Sequence, residues 1–289
     1  MKSTLVQDQN RSQLLMTSHQ IGVTMILQQL IAEKKKKELM SFIRSREQSN
    51  GGFSFSQSTP PTLEDTYFAL RLLEELKQYS VSKQTVFYIA GLNRNEFPQP
   101  KHLYQLTIIY RIIHNVELED SIRNKITDMH ETVINNLSDL YYMVSTKELL
   151  MMSTTNLIKN EKNILSSVQK KQVKSMEEYK QLIILMKKLN ITLPAKEYIR
   201  IIQNSQNPDG AFGIVPNSTS YLEPTYHALR GLRELHVFPN DIYQCERFID
   251  SCMANIGGYG RQKITVPTLE YSYYALMSLK IIEEMKKDF

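Results

Sequence analysis

Apolar residues recur with helical spacing in three parts of the chain. In the first part, four of them fall at i, i+4, i+7 and i+10: Leu63, Tyr67, Leu70 and Leu73. This spacing groups the side chains on one side of a helix, whereas a strand would divide them between its two faces. The same offsets recur from Leu222 and from Leu269. The pattern therefore predicts three helices of one design.

Each of these helices follows a turn of constant form. A glycine and an aromatic residue make the turn, and a Leu-Glu pair opens the helix ten residues after the aromatic, as from Phe53 to Leu63. The segments before the turns, roughly 38–47, 195–204 and 242–253, are also predicted to be helical, because Gly or Asn-Pro-Asp-Gly ends each of them. A turn repeated at a fixed interval is typical of architectures built from helix pairs.

Weaker copies of the helix occupy the gap between the first two strong ones. When each copy is aligned on the apolar residue that opens its helix, the helices begin near residues 63, 103, 140, 176, 222 and 269. The three central copies lack the Gly turn and depend on periodicity alone. We therefore predict an all-α ring of six helix pairs over residues 34–289. An N-terminal extension, residues 1–33, is expected to form a further helix from about Gln13 to Glu33.

Composition is that of a globular protein. The chain has 289 residues, of which 42% are hydrophobic and 22% are charged, values in the usual range for globular domains. The best membrane candidate, residues 21–32, is too short and too polar to span a bilayer. The first residues lack the order of a signal peptide. We expect a cytoplasmic protein that is not integral to a membrane.

Charge and cysteine content argue against a nucleic-acid-binding protein and against a disulfide between the two cysteines. The net charge of +5 comes partly from the lysines at 34–37, and such runs are usually solvated helix faces. No zinc-finger, RNA-binding or phosphate-loop pattern accompanies them, so no nucleic-acid partner is expected. Cys245 and Cys252 lie seven residues apart on one predicted helix. They would be about 10 Å apart by helical rise, beyond the roughly 7 Å limit for a disulfide, so we expect free thiols.

The turn Gln206-Asn207-Pro208-Asp209-Gly210-Ala211-Phe212 resembles the repeat of squalene and other class II terpene cyclases, with Phe in place of Trp. In the first copy, Gln48 to Phe53, the spacing is one residue shorter, and the turn from Met253 to Tyr259 lacks the Gln. With six helix pairs, the chain resembles the toroid that these cyclases share with protein prenyltransferase β subunits. The resemblance implies an (α/α)6 toroid in which six inner helices surround an apolar, aromatic-lined cavity.

The resemblance also implies known metal chemistry, which can be tested against the residues. Zinc-dependent protein prenyltransferases hold zinc with Asp, Cys and His. Here the position of that His aligns with Pro224. The sequence therefore argues against a zinc-dependent enzyme. No metal site or cofactor is expected, except Mg²⁺ if a diphosphate is bound, because crowded carboxylates would otherwise repel that group.

Class II terpene cyclases protonate an alkene with an Asp-x-Asp-Asp-Thr motif at the start of an inner helix. The matching segment here begins at Thr62, which replaces the first Asp, and it places Glu64 on the proton donor and Asp65 on the next acid. Such an acid must be desolvated so that it stays neutral. Glutamate recurs at the same place in other copies, where an acid in the first turn complements the helix dipole. Catalytic acids and helix-start residues are therefore both open interpretations of Glu64 and Asp65.

Further candidates for ligand binding lie in one turn and at the inner helix starts. Arg261 and Lys263 form the best cationic pair for an allylic diphosphate, although a solvated loop is the simpler explanation. Tyrosine faces on the inner helices could stabilise carbocations or could simply fill the core. His227 is either a core histidine or a ligand-binding one. The remaining candidates are Tyr67, Glu223, Tyr226, Glu270, Tyr271 and Tyr274.

Two functions remain open on the sequence. The first is an isoprenoid-handling enzyme, terpene-cyclase-like or prenyltransferase-like, that binds a polyprenyl chain in the central cavity and uses Glu64 and Asp65 as its acids. The second is a non-catalytic toroid that serves as a lipid-binding, peptide-binding or scaffold module. The expected ligand is an isoprenoid or another hydrophobic small molecule, and a protein partner is left open. A closed apolar hollow of roughly several hundred Å³ would favour the enzyme, and a hollow filled by Tyr and Leu would favour the module.

Overall fold

The computed structural model describes residues 30, 32–78, 80–92, 99–128, 134, 136–154 and 175–288. This part of the chain is mostly helical, with one short antiparallel pairing of strands β1 (Phe212–Gly213) and β2 (Ser220–Tyr221). The helices in chain order are α1 (32–44), α2 (Leu63–Glu75), α3 (Lys83–Leu92), α4 (Pro100–Ile112), α5 (Val116–Asp128), α6 (Leu137–Leu149), α7 (Met176–Lys188), α8 (Ala195–Asn204), α9 (Leu222–Glu234), α10 (Ile242–Ser251) and α11 (Leu269–Asp288).

Six of these helices form a closed inner ring. Helices α2, α4, α6, α7, α9 and α11 contact one another in this order, and α11 contacts α2. Helices α1, α3, α5, α8 and α10 each precede an inner helix in the chain. They are amphipathic, and α8 for example buries Tyr198 and Ile202, four residues apart on one face. The residues before α7, 155–174, lie outside the described part of the chain. The prediction of an all-α toroid is confirmed.

Most of the predicted helix starts agree with the structure. Helices α2, α7, α9 and α11 begin at the predicted residues 63, 176, 222 and 269. The other two begin three residues earlier than predicted, at Pro100 and Leu137 instead of Leu103 and Leu140. Leu103 and Leu140 are buried one turn inside their helices, so periodicity alone could not separate them from the first residue. Most of the predicted N-terminal helix, Gln13 to Glu33, lies outside the described residues.

Polar side chains fix several of these starts. Thr62 and Ser175 accept hydrogen bonds from the backbone N–H groups of Asp65 and Glu178, and Asn136 does the same for α6. A side-chain oxygen at this position satisfies one of the four N–H groups that have no partner within the helix. The chain therefore enters the ring at a defined residue of each of these helices, which sets the orientation of the side chains that follow.

The glycine turns join one repeat to the next. Gly51, Gly210 and Gly257 all have positive φ, at 93°, 87° and 79°, a conformation that glycine adopts without steric cost. A Cβ on Gly210 would overlap the backbone of Gln244 at the start of α10, and one on Gly257 would overlap the backbone of Glu38 in α1. The last turn thus packs against the first helix and closes the ring on the outside.

The turn aromatics are buried between the paired helices. The exposed fractions of Phe53 and Phe212 are 0% and that of Tyr259 is 4%. The backbone N–H of Phe212 donates to Thr225 Oγ1 at 3.0 Å, and the equivalent bonds link Phe53 to Thr66 and Tyr259 to Ser272. The turn therefore has the structural role that its repetition predicts.

Two further expectations concern the cysteines and the membrane. Cys245 and Cys252 are free and buried. In the described ranges, no helix has both the length and the hydropathy that a bilayer span requires.

Candidate functional site

A cavity of about 180 Å³ opens at the N-terminal end of the inner ring. Its lining comes entirely from the second, fifth and sixth residues of the inner helices. The fifth residue of every inner helix takes part, and five of these six residues are tyrosines: Tyr67, Tyr104, Tyr141, Tyr226 and Tyr273, with Lys180 as the sixth. Residues at the same position of the six inner helices therefore form a continuous wall around the axis of the ring.

The tyrosine rings of neighbouring inner helices pack against one another. The ring centroids of Tyr67 lie 6.4 Å from those of both Tyr104 and Tyr273, and the rings of Tyr226 and Tyr274 stack at 5.1 Å. Such spacings are those of aromatic pairs in protein cores. The tyrosine layer therefore narrows the centre of the ring, and the cavity lies at its N-terminal mouth.

A second cavity of about 390 Å³ lies towards the C-terminal ends of the inner helices, where Arg230 and Glu234 are among its lining residues. Tyr104 and Tyr141 line both cavities. The layer of tyrosines therefore divides the axis of the ring into two compartments.

Three acids occupy the mouth of the first cavity. They are the second residues of their helices: Glu177, Glu223 and Glu270. The hydroxyl of Tyr274 donates to Glu270 Oε1 at 3.0 Å. Burial raises the pKa of Glu270, and that hydrogen bond only partly offsets the effect. Burial also raises the pKa of Glu223, against the opposing effect of Arg261. Both groups therefore hold a proton at higher pH than an exposed glutamate.

Lys180 brings a positive charge into the tyrosine wall. Its exposed fraction is 6%, and its ammonium lies 3.9 Å from Glu177 Oε1 and 5.0 Å from the ring centroid of Tyr141. Burial lowers the pKa of Lys180 to about 8, because the charged form loses its hydration. Lys180 is not among the candidates predicted from the sequence. It could have been recognised there as the fifth residue of α7, a position at which the other five inner helices have tyrosine.

His227 is the sixth residue of α9 and lies beside Lys180 in the cavity. Its exposed fraction is 4%, and within the described part of the chain neither ring nitrogen has a hydrogen-bond partner. Burial lowers the pKa of His227 well below its usual value, so the imidazole is neutral at physiological pH. One ligating atom each from Glu177, Glu223 and His227 lie within 4.8 Å of one another. His227 and Glu223 are among the candidates predicted from the sequence, whereas Glu177 is not.

Glu64 and Asp65, the predicted acids, lie outside this cavity. Glu64 is exposed and forms an ion pair with Lys101 at 2.6 Å. Asp65 accepts a hydrogen bond from Thr62 Oγ1 at 2.8 Å, while its own N–H donates to the same oxygen at 3.0 Å. These are the contacts of a capping residue. Burial raises the pKa of Asp65, but the cavity lining does not include it.

The other predicted binding residues divide into two groups. Six line the cavity: Tyr67, Glu223, Tyr226, His227, Glu270 and Tyr274. Arg261, Lys263 and Tyr271 are not part of its lining. The guanidinium of Arg261 lies 3.8 Å from the ring centroid of Tyr221 and 3.6 Å from Glu223 Oε2, so it reaches the rim, whereas Lys263 is exposed on the turn.

A comparison with protein families agrees with this architecture. The family model described as "Prenyltransferase alpha-alpha toroid domain" matches residues 2–229 and 114–288. A solved structure of Candida albicans protein geranylgeranyltransferase-I complexed with GGPP is similar at 15% sequence identity and a TM-score of 0.38, over 78% of this chain and 85% of that one. No curated protein sequence matches the chain.

Proposed function

Because the chain belongs to the prenyltransferase α/α toroid family, we propose that it is an isoprenoid-handling protein that receives one end of its ligand in the mouth cavity. The family's fold supports an isoprenoid-related function in general terms. The observation that carries the more specific proposal is the lining of the cavity, which combines tyrosine faces with partly buried acids.

The volume of the cavity limits what can enter. At about 180 Å³, it lies below the roughly 300–1,000 Å³ of ordinary ligand pockets. It is close to the engineered cavity of about 150 Å³ that holds benzene. One isoprene unit or a small polar head group fits this space, and the rest of a longer chain would remain outside the mouth.

The acid role that the sequence assigned to Glu64 and Asp65 fits Glu270 better. Glu270 is enclosed and has a raised pKa, and its neighbour Tyr274 holds it by a hydrogen bond. In this proposal the proton of the Glu270 carboxyl moves to one carbon of an alkene and leaves a cation on the other. The surrounding tyrosine faces stabilise that cation by about 1 kcal/mol or more when water is excluded. The Glu270 carboxylate then takes a proton from a neighbouring carbon, which restores an alkene and regenerates the acid.

A non-catalytic binding module is the second candidate. Lys180 is one observation in its favour, and the cavity volume of about 180 Å³, which falls short of the size expected for the enzyme, is another. The ammonium of Lys180 already lies over the ring of Tyr141. An internal cation therefore occupies part of the aromatic surface that a reaction intermediate would need. In this case the cavity would bind a ligand without changing it.

A matched pair of variants tests the enzyme proposal. Glu270 and Glu64 are equivalent second residues of their helices, but only Glu270 lines the cavity. The purified protein is incubated with farnesol, farnesyl diphosphate and geranylgeranyl diphosphate, and the products are identified by mass spectrometry. We expect conversion that Glu270→Gln reduces at least about a hundredfold, the usual contribution of a general acid, and that Glu64→Gln leaves unchanged.

Other outcomes decide between the alternatives. Ligand binding without conversion supports the module. If Glu64→Gln abolishes conversion and Glu270→Gln does not, the catalytic acid is Glu64 in the first turn of α2. If no isoprenoid binds at all, the proposed function is wrong.

A further inference from the structure

The mouth cavity contains a group of side chains that the isoprenoid proposal does not use as a unit. We propose that Glu177, Glu223 and His227 bind one divalent transition-metal ion, with Zn²⁺ as the best match. One ligating atom from each side chain lies within 4.8 Å of the other two. These ligands differ from the Asp, Cys and His set of zinc-dependent protein prenyltransferases.

The backbone positions of the three residues suit a shared ligand. Glu223 and His227 are four residues apart on α9, so their side chains lie on one face of the helix. Glu177 lies in the first turn of α7, which packs against α9. Sites supported by helices hold their ligands more firmly than sites on loops do.

His227 gives the strongest evidence for a metal site. The side chain is buried and lines the cavity, and both of its ring nitrogens are without hydrogen-bond partners in the described part of the chain. Buried polar atoms nearly always have a partner, and an exception calls for an explanation. A bond to a metal ion would satisfy one nitrogen, because a neutral imidazole is a ready ligand.

The donor set selects the kind of ion. One imidazole nitrogen and two carboxylate oxygens suit Zn²⁺, whereas Mg²⁺ and Ca²⁺ prefer oxygen ligands alone. Ligand atoms about 2.0–2.2 Å from one Zn²⁺ lie about 3.5 Å apart in tetrahedral geometry. The three atoms therefore need to approach one another by about 1 Å, which rotation of the two glutamate side chains can provide. Three protein ligands leave a fourth position open towards the cavity, as in catalytic zinc sites.

Several neighbours compete with the ion for the same oxygens. The Nε2 atom of Gln181 donates to Glu177 Oε1 at 3.1 Å, and the ammonium of Lys180 lies 3.9 Å from the same atom. Arg261 lies 3.6 Å from Glu223 Oε2. Metal binding would displace these contacts, and the charge of Lys180 would oppose the ion. Removal of that charge is therefore expected to strengthen metal binding.

The metal site can be tested without any isoprenoid, so its failure and that of the proposed function are distinguishable. The full chain is stripped with a chelator and titrated calorimetrically with ZnCl₂ and, separately, with MgCl₂. We expect one Zn²⁺ per chain and much weaker binding of Mg²⁺. Replacement of one ligand in His227→Asn should weaken Zn²⁺ binding at least about tenfold, since even second-shell changes commonly have effects of this size.

Matched variants separate the site from non-specific binding. His236→Asn makes the same substitution at an exposed residue just after α9 and should leave Zn²⁺ binding unchanged. Lys180→Met should tighten it. Circular dichroism checks the fold of each variant, and Glu223→Gln replaces His227→Asn if the latter does not fold. Absence of stoichiometric Zn²⁺ binding, or full binding retained in both ligand variants, would overturn the proposal.

Discussion

At the fifth position of the inner helices, a single lysine replaces a tyrosine. Lys180 is buried in the wall of the cavity, and burial lowers its pKa to about 8 from a usual value near 10.5. In the folded state the proton is therefore lost at lower pH than in the unfolded state. Stability rises with pH wherever the unfolded state holds more protons, so this lysine should contribute a rise between about pH 8 and pH 10.5.

Lys180→Met isolates that contribution, because methionine retains an unbranched side chain without the charge. At pH 7 the variant is expected to be more stable than the parent by about 3 kcal/mol, from roughly 1.4 kcal/mol for each unit of pKa shift. The difference should shrink as the pH rises towards 10. Urea unfolding of both proteins across this range measures the change, and other titrating groups largely cancel in the comparison. Parallel pH curves would contradict the assigned burial of a charged amine.

At the scale of the elements, the glycine turn makes the sharpest prediction. Gly210 has a φ of 87°, and a Cβ there would overlap the backbone of Gln244. Gly210→Ala should therefore reduce the free energy of unfolding by more than about 2 kcal/mol, from left-handed strain together with the overlap.

Gly91 is the matched control, because it lies inside α3 with nothing within 4 Å of an added Cβ. Gly91→Ala should stabilise the protein by about 0.5–1 kcal/mol through helix propensity. Thermal unfolding of the two variants gives both values. Equal effects in the two variants would show that the turn does not need glycine for its packing.

The helix pattern could be predicted because its causes are local. The strong copies carry a glycine turn and a Leu-Glu start, and their helices begin at the expected residues 63, 222 and 269. The predicted starts at Leu103 and Leu140 were three residues too late, because the apolar face extends one turn further towards the N-terminus, to Pro100 and Leu137. Proline at the first helical position and asparagine at the cap were the signals that would have corrected them.

The candidate site was only partly predictable because it depends on how the helices are rotated. The sequence placed tyrosines and acids at the inner helix starts but could not say which of them face the axis. Glu64 and Glu270 occupy the same helical position, yet Glu64 pairs with Lys101 and Glu270 lines the cavity. Lys180 was missed because the predicted starts of α4 and α6 were three residues too late. The tyrosine position could therefore be recognised in only three copies, and Lys180 did not stand out as its replacement.

At the scale of the whole molecule, closure of the ring creates the two compartments on its axis. Helix α11 contacts α2, and an ion pair between Lys280 and Glu75 at 2.6 Å spans the same junction. Exposed ion pairs contribute about 0–1 kcal/mol, so the apolar packing between the helices is the main source of closure. The tyrosine layer inside the closed ring is then what restricts the length of ligand that can enter.

Removal of one tyrosine should join the two compartments. Tyr141 lines both cavities, whereas its neighbour Tyr142 lines only the one at the mouth. Tyr141→Ala and Tyr142→Ala remove side chains of equal size from consecutive residues of α6. Each is expected to cost about 3 kcal/mol of stability, at the lower end for the loss of a large aromatic side chain.

Only Tyr141→Ala is expected to change the preferred ligand length. Farnesol, with three isoprene units, should bind at least about tenfold more tightly to Tyr141→Ala than to the parent, since about 1.4 kcal/mol follows from burying roughly two more CH₂ groups. Prenol, with one unit, should show no such gain, and Tyr142→Ala should gain nothing with either alcohol. Calorimetric titration of both alcohols provides the comparison. The same gain in both variants would mean that added volume alone, rather than passage through the tyrosine layer, determines which chain the ring accepts.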